Sequence, residues 1–99
     1  MSVDAKETMT ISKRREILDT AAELIDGDRA RTYGDANKSF ARVGIIWGAL
    51  LDIDAISATE VAAMMTALKL VRGCDSPAHE DSWIDGAGYI ALAGEAASQ

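Results

Sequence analysis

Apolar residues recur at helical spacing in four segments of the chain, and polar stretches separate these segments. A repeat every three to four residues places apolar side chains on one face of an α-helix, whereas a β-strand alternates every two residues. The pattern predicts helices near residues 12–26, 38–51, 57–72 and 80–96, and no β-sheet. The sequence thus indicates an all-α fold, a compact bundle of about four helices, with a flexible N-terminus over 1–10 and one helical domain over 11–97.

Capping residues indicate where several of these helices begin and end. Ser12 is a candidate N-cap of the first helix, and Ser57 with Glu60 forms an S-x-x-E capping box at the start of the third. Glycine readily ends a helix, so Gly27 and Gly73 are the predicted stops of these two helices.

The periodic apolar positions are the predicted core. They are Ile17, Leu18, Ala21, Leu24 and Ile25 in the first helix, Val61, Met64, Met65, Leu68 and Val71 in the third, and Trp83, Ile84, Ala87, Ile90 and Ala91 in the fourth. Gly86 and Gly88 each cost roughly 1 kcal/mol in a helix relative to alanine. Close packing or access for a ligand would explain them.

The second helix differs from the others, because residues 43–51 are apolar nearly all round. Such a helix is either central to a bundle or shared with another subunit. Gly44 and Gly48, one turn apart, allow a neighbouring helix to approach closely. A chain of 99 residues has little protein to cover such a helix, so we expect a homo-oligomer with this helix at or beside the interface.

The composition limits the cellular compartment and the kinds of partner that we expect for this protein. The single cysteine, Cys74, excludes an internal disulfide and a cysteine-based zinc site. No apolar run approaches the ~18 residues of a membrane span, and MSVDAKETMT lacks the apolar centre of a secretory signal. We therefore expect a cytoplasmic protein with no membrane partner. The net charge of −6 argues against bulk nucleic acid as a partner.

One segment of this acidic chain is cationic. Residues 29–50 carry four lysines or arginines and one aspartate, a balance of +3, whereas residues 73–99 carry five acidic residues and no lysine or arginine. Phosphate recognition uses arginine forks and backbone N–H groups at a helix start, and an aromatic face suits a base. The loop over 28–37 supplies all three. It is equally explained as an interhelical connection with a packed tyrosine, capped by Asp35 or Asn37.

The phosphate interpretation yields a set of candidate ligand-binding residues. Those in or after the loop are Arg29, Arg31, Tyr33, Asp35, Lys38 and Trp47, and those expected to complete the pocket are Lys69, Arg72 and His79. The predicted ligand is a nucleotide-derived small molecule.

Carboxylates at helical spacing lie at the start of the fourth helix. Asp81, Asp85 and Tyr89 recur every four residues and share one face. Asp81 and Asp85 are suited to Mg²⁺, and equally suited to ion pairs with Lys69 or Arg72. One histidine and one cysteine cannot build a four-ligand zinc site, so we expect no structural metal and no cofactor, and no residue is assigned a catalytic role.

The motifs in combination resemble a group of short uncharacterised proteins from tailed phages and prophages. The resemblance covers residues 15–95, and its most specific elements are TYGD at 32–35 and HxDSxxDxxGY at 79–89. It implies a viral origin, and the expected compartment is then the host cytoplasm. The matching positions are Gly27, Asp28, Arg29, Thr32, Tyr33, Gly34, Asp35, Phe40, Trp47, Met64, Met65, Lys69, Arg72, His79, Asp81, Ser82, Asp85, Gly88 and Tyr89.

The chain also resembles, more loosely, the MazG-type all-α nucleoside triphosphate pyrophosphohydrolases. These enzymes hold Mg²⁺ with an E-x-x-E helix and an E-x-x-D helix. Glu23 and Asp26 match the second spacing, and Asp81 with Asp85 would supply further ligands, but the paired-glutamate helix is missing. Hydrolysis of a triphosphate needs metal ions to neutralise developing charge, so this departure argues against an enzyme.

The sequence is compatible with three candidate functions. The first is a phage-encoded, non-catalytic protein that sequesters a nucleotide-derived immune signal, that is, an anti-defence sponge. The second is a MazG-like, Mg²⁺-dependent nucleoside triphosphate pyrophosphohydrolase. The third is a phage adaptor that binds a host protein. The sequence favours the first function. The cationic loop has the features of a phosphate site, whereas the carboxylates that catalysis would need are incomplete.

Overall fold

Four α-helices make up the fold in a computed structural model that describes residues 10–27 and 35–99. In chain order the helices are α1 (Lys13–Asp26), α2 (Ala36–Leu51), α3 (Ala58–Asp75) and α4 (Glu80–Ala97). No strand occurs in the described residues. The all-α prediction is confirmed for them, and each predicted helix bound lies within three residues of the observed one. The candidate residues Arg29, Arg31 and Tyr33, and residues 1–9 of the expected flexible terminus, lie outside the described ranges.

Side-chain caps begin the first three helices. The Ser12 hydroxyl accepts a hydrogen bond from the Arg15 N–H, and the capping box of α3 is complete, with Ser57 and Glu60 each accepting from the backbone of the other. The Asp35 carboxylate accepts from the Asn37 N–H at 2.9 Å, so α2 begins two residues before the predicted Lys38. These bonds satisfy N–H groups that have no partner within the helix.

Two helix hairpins and one parallel helix form the bundle. The antiparallel pair α3 and α4 has the most extensive contact, and α2 packs on α3. α1 runs beside α4 in the same direction, with Lys13 Nζ at 3.4 Å from Glu80 Oε2. Contact between α2 and α4 is slight, and it includes the rings of Phe40 and Tyr89, whose centroids are 6.1 Å apart. None of the described helices has an apolar stretch long enough to cross a membrane.

Gly73 does not end α3, so the predicted stop is wrong. The helix continues to Asp75, and Gly73 is buried within it. A Cβ atom at Gly73 would lie 2.8 Å from Cη2 of Trp83, which means that the glycine makes room for the indole ring. The indole N–H donates a hydrogen bond to the Pro77 carbonyl at 3.0 Å, so this packing also ties down the turn between α3 and α4.

Three further helical glycines, Gly44, Gly48 and Gly88, are also sites of close packing. A Cβ atom at Gly88 would lie 3.3 Å from Ile25 Cγ2, so close packing explains this glycine. A Cβ at Gly86 would lie 3.5 Å from Lys69 Cβ, an ordinary van der Waals contact that does not require glycine. Gly44 and Gly48 of α2 face the backbone carbonyls of the α2–α3 turn at residues 56 and 54. The closest neighbour of both glycines is therefore the turn. A Cβ at Gly44 would also lie 3.4 Å from Val61 Cγ2 of α3, so a helix does approach α2 there, as the sequence suggested.

The hydrophobic core is smaller than the predicted one. Its buried members are Ala21, Val61, Ala62 and Ile84. Six positions predicted to face inward are exposed, because no described segment covers them: Leu18, Met64, Leu68, Val71, Ile90 and Ala91. Periodicity identifies the apolar face of a helix, but it does not show whether another element packs against that face.

Candidate ligand-binding cleft

A cleft with a volume of about 570 Å³ opens where α3 ends and α4 begins. This volume lies within the range of about 300–1,000 Å³ that is typical of small-molecule sites. Every residue that lines the cleft is polar or charged: Lys69, Arg72, Asp75, Ser76, His79, Asp81, Ser82 and Asp85. We call it the α3–α4 cleft.

Helical spacing and one fixed turn bring these side chains together. Lys69 and Arg72 are three residues apart on α3, and Asp81 and Asp85 are four apart on α4, so each pair shares a face. The His79 N–H donates to the Ser76 carbonyl at 2.9 Å and closes the turn that joins the two helices. The cleft is therefore built by a local hairpin.

An ion pair crosses the cleft from α3 to α4. Lys69 Nζ lies 3.1 Å from Asp85 Oδ2, and the side chains are 17% and 37% exposed, respectively. The stem of Lys69 lies against α4 beside Gly86, so the ammonium group reaches the carboxylate while its methylene groups are covered. The prediction that a carboxylate of α4 pairs with Lys69 or Arg72 is confirmed.

The start of α4 contributes backbone donors and a second polar pair. His79 occupies the N-cap position, but its side chain makes no capping hydrogen bond. His79 Nε2 lies 3.8 Å from Asp81 Oδ2, a distance at which the two attract when the imidazole is protonated. The uncapped first turn offers N–H groups and the positive end of the helix dipole, and the acidic residues Glu80 and Asp81 partly offset that dipole.

The charges in the cleft nearly balance. With His79 neutral, the lining carries Lys69 and Arg72 against Asp75, Asp81 and Asp85, two positive charges against three negative. Because Asp85 is occupied by Lys69, the guanidinium of Arg72 remains a cation to which the structure assigns no ion pair among the described residues. The lining is suited to a ligand that presents both an anionic group and hydrogen-bond donors.

The structure brings together one part of the sequence-predicted site. Lys69, Arg72 and His79 line the cleft, and so do Asp81 and Asp85, which the sequence offered as ligands for Mg²⁺.

Asp35, Lys38 and Trp47 do not line this cleft. The Asn37 amide donates to the Gln99 side chain at 2.9 Å, which places the start of α2 beside the C-terminal end of α4. Since α4 has 18 residues and is about 27 Å long, the start of α2 and the cleft are at opposite ends of that helix.

Sequence reasoning assigned no ligand role to Asp75, Ser76 and Ser82, all of which line the cleft. Asp75 and Ser76 were missed because α3 was expected to end at Gly73, which removed them from the face that carries Arg72. Ser82 is 6% exposed. A small polar residue at a helix position that faces inward could have identified it as part of a site.

Metal ligands do not converge in the part of the chain that the structure describes. No group of three or more histidine, cysteine, aspartate or glutamate side chains there is arranged to hold a metal ion. Glu23 and Asp26 of α1 therefore do not form a metal-binding group with Asp81 and Asp85.

The chain belongs to the family described as Domain of unknown function (DUF6378), whose model matches residues 16–97. It is similar to the Gene 55 protein of Mycobacterium phage L5, with 41% identity over 76 residues, 77% of this chain and 49% of the relative. The Gene 55 protein of Mycobacterium phage D29 is 34% identical over 73 residues, 74% of this chain and 48% of the relative. The resemblance to uncharacterised phage proteins is thereby confirmed.

The chain spans about half the length of these curated relatives. No solved structure matches it.

Proposed function

We propose that this member of the family binds a nucleotide-derived small molecule through its phosphate in the α3–α4 cleft and sequesters it unchanged. The observation that carries the proposal is the convergence of Lys69, Arg72 and His79 from two elements at the uncapped start of α4. Guanidinium forks and free N–H groups at a helix start are the donors that phosphate oxygens prefer. The serines and aspartates of the lining supply acceptors for ribose or base groups.

The phage relatives supply the biological setting of this proposal. A small phage protein that binds a nucleotide signal of the host immune system lowers its free concentration without any reaction. The ion pair between Lys69 and Asp85 favours binding over catalysis, because it already occupies one of the two carboxylates that a metal would need.

Calorimetric titration with linear and cyclic nucleotides and adenosine-diphosphate-ribose derivatives tests the binding. Arg72→Ala is expected to raise the Kd by roughly 10- to 100-fold, the scale of a charge-assisted hydrogen bond of about 1.5–3 kcal/mol. Arg14→Ala is the matched control, since Arg14 is an exposed arginine of α1 outside the cleft, and its Kd should equal that of the wild type. Equal affinities of wild type and Arg72→Ala, or no binding by the panel, would overturn the proposal.

The same titration measures the contribution of the cationic loop predicted over 28–37, of which residues 28–34 lie outside the described residues. If the loop also contacts phosphate, Arg31→Ala weakens binding by the same factor as Arg72→Ala. If the cleft alone holds the ligand, Arg31→Ala binds like the wild type. The two variants together assign the site to the cleft, to the loop or to both.

A second candidate function is Mg²⁺-dependent hydrolysis of a nucleoside triphosphate to the monophosphate and pyrophosphate. The observation in its favour is that Asp81 and Asp85 lie one turn apart in the same cleft as Lys69 and Arg72. The slight excess of negative charge in the lining also suits a ligand that arrives with a divalent cation. Mass spectrometry of nucleotides after incubation with protein and Mg²⁺ decides between the two candidate functions. A protein that only binds nucleotides leaves them intact, whereas a hydrolase converts them to the monophosphate and pyrophosphate.

A further inference from the structure

The Ser82 hydroxyl is a polar group of the α3–α4 cleft that has no hydrogen-bond partner in the described part of the chain. A serine or threonine inside a helix often donates to the carbonyl four residues earlier, as Thr66 of α3 does to Ala62 at 2.9 Å. Ser82 makes no such bond, although only 6% of the residue is exposed. Because a buried hydroxyl needs a partner, Ser82 takes one from whatever fills the cleft.

Two carboxylates of the cleft also accept hydrogen bonds from its contents. Asp75 and Asp81 line the cleft, and neither is paired with a lysine or arginine among the described residues. An ionised carboxylate only accepts hydrogen bonds, and the oxygens of an ionised phosphate do the same. A ligand that fills the cleft must therefore carry donors beside its phosphate. On a nucleotide these donors are the hydroxyls of the sugar or the N–H groups of the base.

The described lining favours the sugar as the source of these donors. A base gains much of its binding energy by stacking on an aromatic face. The phenylalanine, tyrosine and tryptophan residues of the chain are Tyr33, Phe40, Trp47, Trp83 and Tyr89. None of the four that are described lines the cleft, whose described lining has one ring, the exposed imidazole of His79. Tyr33 lies outside the described residues, and Asp35, two residues further along, is at the opposite end of α4 from the cleft.

We infer that the α3–α4 cleft recognises the sugar phosphate of its ligand, a ribose 5-phosphate unit with free ring hydroxyls, and leaves the base outside. The inference rests on the proposed function, because it takes the phosphate site at Arg72 as given. The phosphate binds Arg72, and the ring hydroxyls bind the Ser82 hydroxyl and the Asp75 carboxylate.

The spacing of the two α3 residues agrees with this arrangement. Arg72 and Asp75 are three residues apart, so their side chains start about 5–6 Å from each other on one face of the helix. This separation is comparable with the separation of the 5′-phosphate and the ring hydroxyls within one ribose unit. A phosphate on Arg72 therefore brings the hydroxyls of the same ribose to Asp75, and Ser82 lines the same cleft from α4.

Recognition of the sugar predicts selectivity for its hydroxyls and tolerance for the base. A site that hydrogen-bonds a ligand hydroxyl rejects the analogue that lacks it, because its own polar groups are then left unpaired. A base outside the cleft makes no contact of this kind. Ligands that differ only in the base should therefore bind alike, and ligands that differ in the ring hydroxyls should not.

Calorimetric titration separates recognition of the sugar from recognition of the base. AMP, GMP, CMP and UMP are expected to bind with Kd values within about threefold of one another. 2′-deoxy-AMP, 3′-deoxy-AMP or both should bind about tenfold more weakly than AMP, the scale of one lost hydrogen bond. Ribose 5-phosphate, which has no base, should bind within about tenfold of AMP.

Two variants test the residues that bind the hydroxyls. The readout is the ratio of the Kd of the weaker deoxy form to the Kd of AMP, in which effects on the phosphate cancel. Ser82→Ala should lower this ratio from about ten towards one, and Asp75→Ala, at an exposed position, should lower it as well. Ser98→Ala is the matched control, because the Ser98 hydroxyl donates to the Glu95 carbonyl at 2.7 Å at the far end of α4, and it should keep the wild-type ratio.

The outcomes separate this inference from the proposed function. A Kd that changes by more than about tenfold with the base overturns the inference, as do deoxy forms that bind as tightly as AMP. A wild-type ratio in both Ser82→Ala and Asp75→Ala also overturns it. In each of these cases, nucleotide binding that Arg72→Ala weakens still supports the proposed function. No binding by any of the probes overturns both.

Discussion

Glu60 stabilises the first turn of α3 through hydrogen bonds that depend on its charge. The Ser57 N–H and the Ser57 hydroxyl donate to its carboxylate at 3.0 and 2.9 Å and lower the pKa of Glu60 from its ordinary value of 4.5. When the pKa of an acid is lower in the folded state, its stabilising contribution is present above the unfolded-state pKa. That contribution is lost as the pH falls through the folded-state pKa.

The Glu60→Gln variant checks this pH dependence. We expect the wild type to be more stable than the variant at pH 7 and this difference to shrink as the pH falls below about 4.5, since glutamine keeps an acceptor but no charge. Thermal unfolding across pH 3–7 measures the difference. Glu95→Gln, at an exposed position near the end of α4, is the control, and a Glu60→Gln difference that is constant with pH would contradict the assignment.

Asp85 controls how much positive charge the cleft offers to an anion. Asp85→Asn releases Lys69 from its ion pair, so a purely binding protein should hold the phosphate about fivefold more tightly, corresponding to about 1 kcal/mol for a partly exposed pair. If the protein is a Mg²⁺-dependent hydrolase, the same variant loses turnover, because a metal ligand is gone. Titration and product analysis on one preparation distinguish the two results.

At the scale of the helices, substitutions at Gly73 and Gly94 separate the effect of side-chain packing from the effect of helix propensity. Gly73→Ala places a Cβ 2.8–3.0 Å from the Trp83 ring, whereas a Cβ at Gly94 of α4 meets nothing within 4 Å. Propensity alone favours alanine by about 1 kcal/mol at both positions. We expect Gly94→Ala to stabilise the protein by up to that amount and Gly73→Ala to destabilise it, as urea unfolding would measure. Stabilisation by both substitutions would show that the indole moves aside freely.

At the scale of the whole molecule, the homo-oligomer that we expect from the apolar stretch of α2, a dimer in the simplest case, would couple folding to association. The Tm of the wild type should then rise with protein concentration, because mass action favours a folded dimer over two unfolded chains. Differential scanning fluorimetry from about 1 to 100 μM measures this shift. Leu50→Glu should show none, because it places a charge at an apolar residue of α2 that is 78% exposed. A wild-type Tm that is independent of concentration would indicate that one copy is stable by itself.

The sequence was sufficient for the helices because their signals are local. Ser12, the Ser57–Glu60 box and Asp35 specify helix starts through bonds that span two or three residues, and all of these caps occur in the structure. The cluster of Lys69, Arg72, Asp81 and Asp85 could be anticipated in part, since each pair lies on one helix face and a single short turn joins the helices.

The sequence by itself determined the all-α fold, the positions of its four helices and part of the polar lining of the cleft. Only the tertiary structure decided that Gly73 lies inside α3 beneath Trp83, that Asp35 and Lys38 lie far from the cleft, and that Met64, Leu68 and Val71 are exposed. The physical reason is range. Caps and helix faces depend on residues within one or two turns, whereas burial and the meeting of distant side chains depend on which surfaces pack together.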